Sequence, residues 1–350
     1  MGVLIKVDNK DKSLEGLLVS YSAIDTYLSC SEKYRLERIL RIVPETINTA
    51  FILGKAFDEA SEVIFKPFMK DGLPFSRDAM VQRFKDRLTT IEHQGKDLYA
   101  PDCPNVKYSK ADVQFELLDK EDFPVIKAYI DKSDLDISNM QDFVDYYKDT
   151  KVKTLDETVI YNFIAWHCLY RKGIMMLDAL KKWADDNILE VISLQKKIEV
   201  ENDFGDKLIG YLDLEAILKR EPNKIRTLDL KSASNPKKQY PDNKISESMQ
   251  LAIYANSTQL DVGYVVVSKD IKKKSPRVEV RELYGTISEE QLDTVFETID
   301  NVMEGIRNEK FEKNTSNCFK WGRCGLYRLC HEGSMQGLVP KVKREENVTE

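Results

Sequence analysis

Two aspartates and one lysine lie on neighbouring stretches of the sequence whose pattern predicts β-strands. Asp213 ends the segment Gly210-Tyr-Leu-Asp213, and Asp229 and Lys231 form the segment Asp229-Leu-Lys231 on the next strand. Paired carboxylates bind hard divalent cations, and a lysine beside them can orient a water molecule and stabilise negative charge on a phosphate. This combination of residue types is the one that metal-dependent hydrolysis of a phosphodiester requires.

Side-chain alternation predicts that these three residues share one side of a hairpin. Successive side chains of a strand point to opposite faces, so Leu228 and Leu230 face the core while Asp229 and Lys231 point away from it. The same alternation turns Asp213 away from the core. Two carboxylates about 4 Å apart repel each other by roughly 4 kcal/mol at an effective dielectric constant of about 20, so the arrangement favours a bridging cation.

The Asp-x-Lys triplet is informative only because of its surroundings. The copy at Asp229 lies inside a predicted strand, one strand after Asp213 and one helix before Gln250-x-x-x-Tyr254, whose two residues share a helical face. An ordinary surface ion pair is the alternative interpretation of this copy. The triplet also occurs without that context at Asp8–Lys10, Asp149–Lys151, Asp242–Lys244 and Asp270–Lys272.

The order of these motifs, preceded by Gly54-Lys-Ala-Phe-Asp58, resembles the PD-(D/E)XK nuclease superfamily and specifically its RecB-like branch. The resemblance covers residues 20–60 and about 195–330. It implies the hydrolysis of DNA by a site that contains Mg²⁺ or Mn²⁺. It also implies a set of site residues: the metal ligands Asp58, Asp213 and Asp229, the catalytic lysine Lys231, and Gln250 and Tyr254 lining the site.

Asp58 departs from the pattern of that family, in which the position is usually a histidine that binds metal. A carboxylate oxygen can still hold magnesium or manganese, so Asp58 is interpreted as a ligand. The alternative is that a ligand has been lost here. Glu199, near the end of the preceding strand, is a further candidate for the additional acidic residue of the family.

Four cysteines form a second pattern: Cys30 precedes the core, while Cys318, Cys324 and Cys330 follow the last predicted helix. Their distribution resembles the iron–sulfur arrangement of AddB-type and CRISPR-associated RecB-like nucleases. The resemblance implies a 4Fe-4S cluster that joins the two ends of the chain. Zinc bound by four thiolates and reduced cysteines are the alternatives, although structural zinc sites usually contain a Cys-x2–4-Cys knuckle. The remaining Cys103 and Cys168 are expected to be unligated.

The change of apolar period along the chain predicts an α/β (α+β) fold. A period of 3.6 dominates before about residue 190 and a period of 2 follows it, which indicates a restriction-endonuclease-like mixed β-sheet flanked by helices. Five segments are expected: 1–66, the N-terminal part of the nuclease domain with the first cysteine; 67–190, a large helical insertion; 191–310, the nuclease core; 311–337, the cysteine-rich iron–sulfur segment; and 338–350, a disordered tail.

Composition sets outer bounds on the class of protein. The 350 residues are 42% hydrophobic and 32% charged, which is typical of a globular protein with a substantial core. Apolar runs such as Val262–Val267 are too short to span a bilayer and the N-terminus lacks a signal peptide, so an intracellular, cytoplasmic protein with no membrane partner is expected. The net charge of −6 does not exclude DNA, because DNA affinity depends on local lysines and arginines.

These patterns lead to one interpretation of function and two alternatives. The first is a metal-dependent DNA nuclease, specifically an exonuclease acting on DNA ends or single strands in recombination, repair or replication. A DNA-binding or adaptor subunit with a catalytically weakened site at Asp58 is the second. The third is the nuclease subunit of a helicase–nuclease machine. Because the sequence contains no Gly-x4-Gly-Lys-Ser/Thr motif, a helicase or recombination partner would be a separate chain.

Overall fold

The structure of the protein, a computed structural model, describes residues 16–131, 145, 155–202, 204–271, 277–320 and 322–342. The Asp-x-Lys copies at 8–10 and 149–151, residue 272 of a third copy, and residues 343–350 of the expected tail lie outside these described residues.

The described part of the chain contains the following β-strands and α-helices. The strands are β1 (Leu18–Ser20), β2 (Ile42–Pro44), β3 (Ile47–Asn48), β4 (Thr90–His93), β5 (Lys96–Tyr99), β6 (Val106–Lys107), β7 (Ile188–Glu201), β8 (Lys207–Leu218), β9 (Glu221–Ala233), β10 (Asp261–Ser268), β11 (Val280–Gly285) and β12 (Leu338–Pro340). The helices are α1 (Tyr21–Ser29), α2 (Ser31–Tyr34), α3 (Thr49–Phe65), α4 (Arg77–Thr89), α5 (Phe123–Asp131), α6 (Leu155–Asn187), α7 (Pro236–Gln239), α8 (Met249–Thr258), α9 (Glu289–Arg307) and α10 (Tyr327–Glu332).

Six strands form one mixed sheet with β8 and β9 at its centre. β8 is antiparallel to both β7 and β9 and parallel to the short β1. β9 is parallel to β10, which is antiparallel to β11. β10 contains the apolar run Val262–Val267, all of it buried, as expected for an interior strand that is covered on both faces. The predicted mixed sheet flanked by helices, a restriction-endonuclease-like architecture, is confirmed.

Helices cover both faces of the sheet, which changes the environment of the alternating residues. One core packs α3, α4 and α6 against residues that include Leu214 and Leu228. The other packs α1, α8 and α9 against residues that include Leu212 and Val262. Asp229 is therefore not on a solvated face, as alternation alone would suggest, but has an exposed fraction of 0%.

Side-chain caps fix the start of the helices that carry the predicted site residues. The Asn48 side chain accepts a hydrogen bond from the Ala50 N–H at 2.8 Å at the start of α3, which carries Asp58. The Ser248 hydroxyl accepts from the Leu251 N–H at 3.1 Å at the start of α8. Such caps satisfy backbone donors that would otherwise lack a partner, so both helices begin at defined residues.

The segment 67–190, expected to be helical, also contains short strands. β4 and β5 form an antiparallel pair, and β6 pairs with β3. Helices α4 and α6 contribute Phe84 and Leu177 to the same core as the sheet residue Leu228. This part of the chain is thus an integral layer of the fold and supplies one cover of the sheet.

The two ends of the described chain pack together. The Tyr27 hydroxyl donates to the carbonyl of Lys310 at 2.6 Å, and the Asn314 side-chain amide donates to the carbonyl of Ser29 at 3.0 Å. β12 pairs with β2, so the expected disordered tail from residue 338 is wrong for Leu338–Pro340. Leu338 is buried in a small apolar cluster. The charged residues that follow it in the sequence made the whole segment look like a disordered tail.

Candidate active site

The site lies where strand β8 separates from β9. β8 pairs with β1 through residue 209 and with β9 from Leu214 onward, so the edge of Gly210–Asp213 that faces these two strands has no paired strand. Side chains replace the missing ladder. Oδ2 of Asp213 accepts a hydrogen bond from the Leu230 N–H at 2.9 Å. The motif Gly210-x-x-Asp213 therefore spans the opening of the sheet.

Lys231 and Asp229 form an ion pair at this opening, with 2.6 Å between Nζ of Lys231 and Oδ2 of Asp229. The Asp229 side chain is 1% exposed, whereas that of Lys231 is 31% exposed and reaches the cleft. Apart from this ammonium, Oδ2 of Asp229 has no polar partner among the described residues.

Gln250 and Tyr254 connect helix α8 to the two strands. The side-chain amide of Gln250 donates to Oδ1 of Asp229 at 2.9 Å and to the hydroxyl of Tyr254 at 2.7 Å. The Tyr254 hydroxyl donates in turn to the carbonyl of Tyr211 at 2.9 Å, in the unpaired part of β8. The predicted helical pair of Gln250 and Tyr254 is therefore at the site. Gln250 holds the Asp229 carboxylate, and Tyr254 satisfies a backbone carbonyl in the unpaired part of β8.

The carboxyl groups share one pocket of negative potential. Burial raises the pKa of Asp229 to about 7. The positive charge of Lys231 opposes this shift, and the negative charge of Asp213 adds to it. Burial also raises the pKa of Asp213, although Lys231 and the Leu230 N–H lower it in part. Burial alone would lower the pKa of Lys231, but Asp229 and Asp213 outweigh it and raise that pKa. Lys231 therefore remains a cation, and the pair of carboxylates favours additional positive charge.

Asp58 reaches the same pocket from helix α3. Partial desolvation in the cleft, followed by the charge of Asp213, raises its pKa to about 6, while Lys231 and Lys269 oppose the shift. Asp58 is nevertheless exposed to solvent, so its raised pKa is that of a carboxyl group in an open cleft that contains other charged side chains. Asp213 and Asp229 thus meet where β8 and β9 separate, and Asp58 on α3 is near enough for the charge of Asp213 to act on it.

Glu199 does not join this group. Its carboxylate lies 2.7 Å from Nζ of Lys207 and 3.2 Å from Nζ of Lys197 in exposed ion pairs. Hydrogen bonding to Lys207 and then Lys197 lowers its pKa, in contrast to the raised values of the pocket. In this structure its role is a cross-strand surface pair between β7 and β8.

The pocket has the right donors for a hard cation but not an assembled coordination sphere. Its candidate ligands are all carboxylates, which suit Mg²⁺ or Mn²⁺. Among the described residues no group of three or more His, Cys, Asp or Glu side chains is arranged to hold a metal ion. The ammonium of Lys231 instead contacts Asp229. The residues fit a divalent cation in their chemistry, and binding would require them to reorient.

The four predicted cluster cysteines also come together. The Asn314 N–H donates to Sγ of Cys30 at 3.4 Å, and the Cys324 N–H donates to the carbonyl of Cys318 at 2.7 Å. Burial raises the pKa of Cys318, and the neighbouring thiols of Cys324 and Cys30 raise it further. Burial also raises the pKa of Cys330, and the thiols of Cys30 and Cys318 are among the groups that raise it further. All four are free, half-buried thiols, and Nε2 of His331 lies 3.6 Å from Sγ of Cys318. Among the described residues these cysteines are not arranged as a metal-binding group.

Residues that the sequence motifs missed also line the pocket. The side-chain amide of Gln195 donates to Oδ1 of Asp213 at 3.4 Å, from a residue with a left-handed φ of 49°. Burial is the main reason why the pKa values of Tyr21 and Tyr240 are raised. The charge of Lys231 lowers both values in part and that of Asp229 raises them, so both tyrosines are near these two residues. Lys269 follows β10, and its position could have been inferred from the sequence, because the carboxyl ends of parallel neighbours such as β9 and β10 meet at one edge.

Among the described helices, none is long and apolar enough to cross a bilayer.

No curated protein matches the chain. Among solved structures, the one described as "Crystal structure of SSO0001" is 15% identical, covers 53% of this chain and 86% of its own, and has a TM-score of 0.26, too low to support an inference. Residues 170–331, which contain the central strands, Asp213, Asp229, Lys231, Gln250 and Tyr254, match the family model of the PD-(D/E)XK nuclease superfamily.

Proposed function

We propose that the protein is a metal-dependent deoxyribonuclease, specifically an exonuclease of the RecB-like branch. The observation that carries this proposal is the convergence of Asp213, Asp229 and Lys231 at the opening between β8 and β9, inside the part of the chain that matches the nuclease superfamily. Asp58, from a separate helix, adds a third carboxylate to the same pocket.

Each residue of the pocket has a proposed role in hydrolysis. Asp58, Asp213 and Asp229 would hold one or two Mg²⁺ or Mn²⁺ ions, which when bound supply Lewis-acid activation of water and of the phosphate. Lys231, a persistent cation, would orient the attacking water and stabilise negative charge that develops on the phosphate oxygens. Gln250 would fix the orientation of the Asp229 carboxylate through Oδ1, and Oδ2, which now contacts Nζ of Lys231, would bind a cation once the lysine reorients.

The substrate and context are proposed from the motif order around this site. Gly54-x-x-x-Asp58 before the sheet, and Gln250-x-x-x-Tyr254 after it, resemble nucleases that act on DNA ends or single strands in recombination, repair or replication. Such a protein would act inside the cell, in the cytoplasm. Any helicase or recombination partner would be a separate chain.

We further propose that Cys30, Cys318, Cys324 and Cys330 hold a 4Fe-4S cluster. The proposal is supported by the mutual influence of the four thiols and by the contacts that bring residues 310–317 onto helix α1. Thiolates are the usual ligands of such clusters. In that position a cluster would stabilise the closure of the chain ends beside the nuclease core.

A second candidate function is a DNA-binding or adaptor subunit with a weakened active site. It is favoured by Asp58, where RecB-like nucleases usually have histidine, and by the lack of an assembled metal-binding group among the described side chains. The intact set of Asp213, Asp229 and Lys231 favours the enzyme instead.

One experiment separates these candidates. Purified protein is incubated with single- and double-stranded DNA labelled at the 5′ or the 3′ end, in Mg²⁺, in Mn²⁺ or in EDTA. The nuclease proposal predicts stepwise shortening from one end with either metal and none in EDTA. DNA binding without shortening under any metal condition would support the adaptor.

A further inference from the structure

A cavity of about 320 Å³ lies between helix α3, strand β4 and the residues that follow β12. Phe51 and Lys55 of α3 line it, together with Lys341 and the buried side chains of Ile52 and Ile91. The described residues that line it do not include those of the candidate metal site. Its volume and its mixture of apolar surface with a few charged groups are typical of pockets that bind a small ligand or part of a larger one.

An aromatic ring and a cation are held together at this cavity. Phe51 is 60% exposed, and Nζ of Lys55 lies 4.7 Å from the centroid of the Phe51 ring. Because its apolar surface remains in water, the Phe51 side chain contributes little to the stability of the core. Exposed aromatic rings beside cations are one arrangement by which proteins bind single-stranded nucleic acid, since bases stack on the ring and the cation contacts a phosphate.

Positive charge is in excess around the cavity. The charged residues that line it are three cations and one carboxylate, namely Lys55, Arg87, Lys341 and Glu92. Glu59, which is not in the lining, lies 2.7 Å from Nε of Arg87. Within the described residues, neither the Lys55 nor the Lys341 ammonium has a carboxylate within 4.0 Å. The cations therefore outnumber the acids even when Glu59 is counted, in a chain whose net charge is −6.

Helix α3 connects this cavity to the candidate metal site. Phe51, Lys55 and Asp58 are separated by four and three residues, so they lie on one face of the helix, and all three are exposed. At about 1.5 Å per residue, Phe51 and Asp58 are about 10 Å apart along the helix axis. This distance corresponds to roughly three nucleotides at about 3.4 Å each. A strand with one phosphodiester at the metal site would reach the cavity within a few nucleotides.

The shape and charge of the cavity favour a nucleic-acid strand as its occupant, because a ring and a surplus of cations match a base and a phosphate. We propose that Phe51 and Lys55 form a subsite for single-stranded nucleic acid, in which a base stacks on the Phe51 ring and Lys55 binds a neighbouring phosphate. A base within a duplex is already stacked on both faces, so the strand in this subsite is single. This inference rests on the proposed function, which makes the strand the substrate.

The role of the ring is tested with two substitutions of Phe51. Phe51→Leu keeps an apolar side chain but removes the aromatic face, whereas Phe51→Tyr keeps that face. Binding of a fluorescent single-stranded DNA is measured by anisotropy in EDTA, so that no cleavage occurs. Phe51→Leu should bind about tenfold more weakly and Phe51→Tyr like the wild type. Phe204→Leu, at another exposed phenylalanine that is outside the cavity lining, is the control.

An oligonucleotide of the same length that carries abasic sites separates stacking from other effects. Without bases there is nothing to stack on the ring, so Phe51→Leu should bind this oligonucleotide as the wild type does. A loss of affinity that is equally large for the abasic oligonucleotide would overturn the subsite.

The role of the cation is tested with Lys55→Gln over a range of salt concentrations. Removing one phosphate contact should lower the slope of log affinity against log salt by about one, with normal and abasic DNA alike. Lys182→Gln removes the same charge on helix α6, where Nζ of Lys182 lies 2.7 Å from the carboxylate of Asp186, and should keep the slope of the wild type. Phe51 and Lys55 are exposed, so their variants should fold and melt like the wild type.

Wild-type affinity in Phe51→Leu, or a wild-type salt slope in Lys55→Gln, would overturn the subsite. If DNA affinity is unchanged but Phe51→Leu elutes at a different volume in size-exclusion chromatography, the cavity contacts a second copy of the chain, which also overturns it. Failure of the proposed function gives a different result. In that case the wild type does not cleave DNA with Mg²⁺ or Mn²⁺, whereas failure of the subsite leaves cleavage by the wild type intact and makes the variants bind as it does.

Discussion

The carboxylate of Asp213 accepts a hydrogen bond from the backbone N–H of Leu230 at 2.9 Å, just beyond the last paired residues of β8 and β9, Leu214 and Leu228. This bond satisfies a backbone donor that the separating strands would leave without a partner. It also anchors Asp213 between Asp229 and Lys231, on either side of Leu230 in the chain. The end of the ladder and the start of the site are thus the same structural feature.

Replacing Lys231 with alanine should reduce DNA cleavage by at least about a hundredfold while DNA binding changes little. The reason is that the role proposed for Lys231 is to stabilise charge that develops during the reaction, whereas binding would use phosphate contacts spread over many residues. Cleavage is measured with end-labelled DNA and binding by anisotropy. Lys224→Ala, on the same strand and paired with Asp261 away from the pocket, is the control. Wild-type cleavage by Lys231→Ala would remove the catalytic assignment.

Asp58→Ala should weaken metal affinity and activity, and Asp58→His should restore part of both, more with Mn²⁺ than with Mg²⁺. Histidine supplies a nitrogen donor, which manganese accepts more readily than magnesium does. Activity is titrated against metal concentration for the three proteins. If Asp58→Ala needs no more metal than the wild type for half-maximal activity, Asp58 is not a ligand.

Stability in the absence of metal should decrease as the pH rises from about 5.5 to about 8, as far as these carboxyl groups control it. The pKa values of Asp58 and Asp229, about 6 and about 7, lie above the ordinary value of 3.8. The folded state therefore binds more protons than the unfolded state in this range, and stability that is complete at low pH is lost as the groups ionise.

A bound cation removes that penalty and needs ionised ligands, so Mn²⁺ should raise the melting temperature more at about pH 8 than at about pH 5.5. Thermal unfolding with and without Mn²⁺ at both pH values measures the difference. In Asp58→Asn the difference should shrink. An equal gain at the two pH values in the wild type would contradict the link between these carboxyl groups and the metal.

Tyr254→Phe should lower kcat about tenfold and leave KM nearly unchanged. The reason is that the Tyr254 hydroxyl contacts Gln250, which orients Asp229, and is not expected to contact the substrate. Steady-state cleavage of labelled DNA gives both constants. Tyr129→Phe loses a hydroxyl contact to Asp102 far from the pocket and should keep wild-type kinetics. A rise in KM with an unchanged kcat would instead indicate that Tyr254 contacts the substrate.

The anaerobically purified protein should be brown and contain about four irons per chain. Serine at Cys30, Cys318, Cys324 or Cys330 should remove the colour and lower the melting temperature, since Cys30 and Cys318 are about 290 residues apart and their link closes a long loop. Iron analysis and thermal unfolding measure both effects. Cys103→Ser and Cys168→Ser, at buried positions outside the thiol group, should keep the colour. A colourless protein with stoichiometric zinc would refute the iron–sulfur cluster.

The sequence by itself determined the central strands and the identity of the residues that meet at the pocket. The alternation around Asp229 and the helical spacing of Gln250 and Tyr254 are local properties, since a strand or helix fixes which residues share a face. Alternation does not hold at Asp213, because Leu212 and Leu214 lie in different cores. The start of α9 at Glu289 is also a local property, because Ser288 and Gln291 form a capping box there.

Only the tertiary structure decided the environment of these residues. Alternation places Asp229 away from the leucines of its strand, but helices cover both faces of the sheet, and Asp229 is buried with a raised pKa. The separation of β8 from β9 at Asp213 depends on β1, which is nearly 190 residues earlier in the sequence. Burial and long-range proximity are products of the whole packed chain, so no local pattern of residues could have specified them.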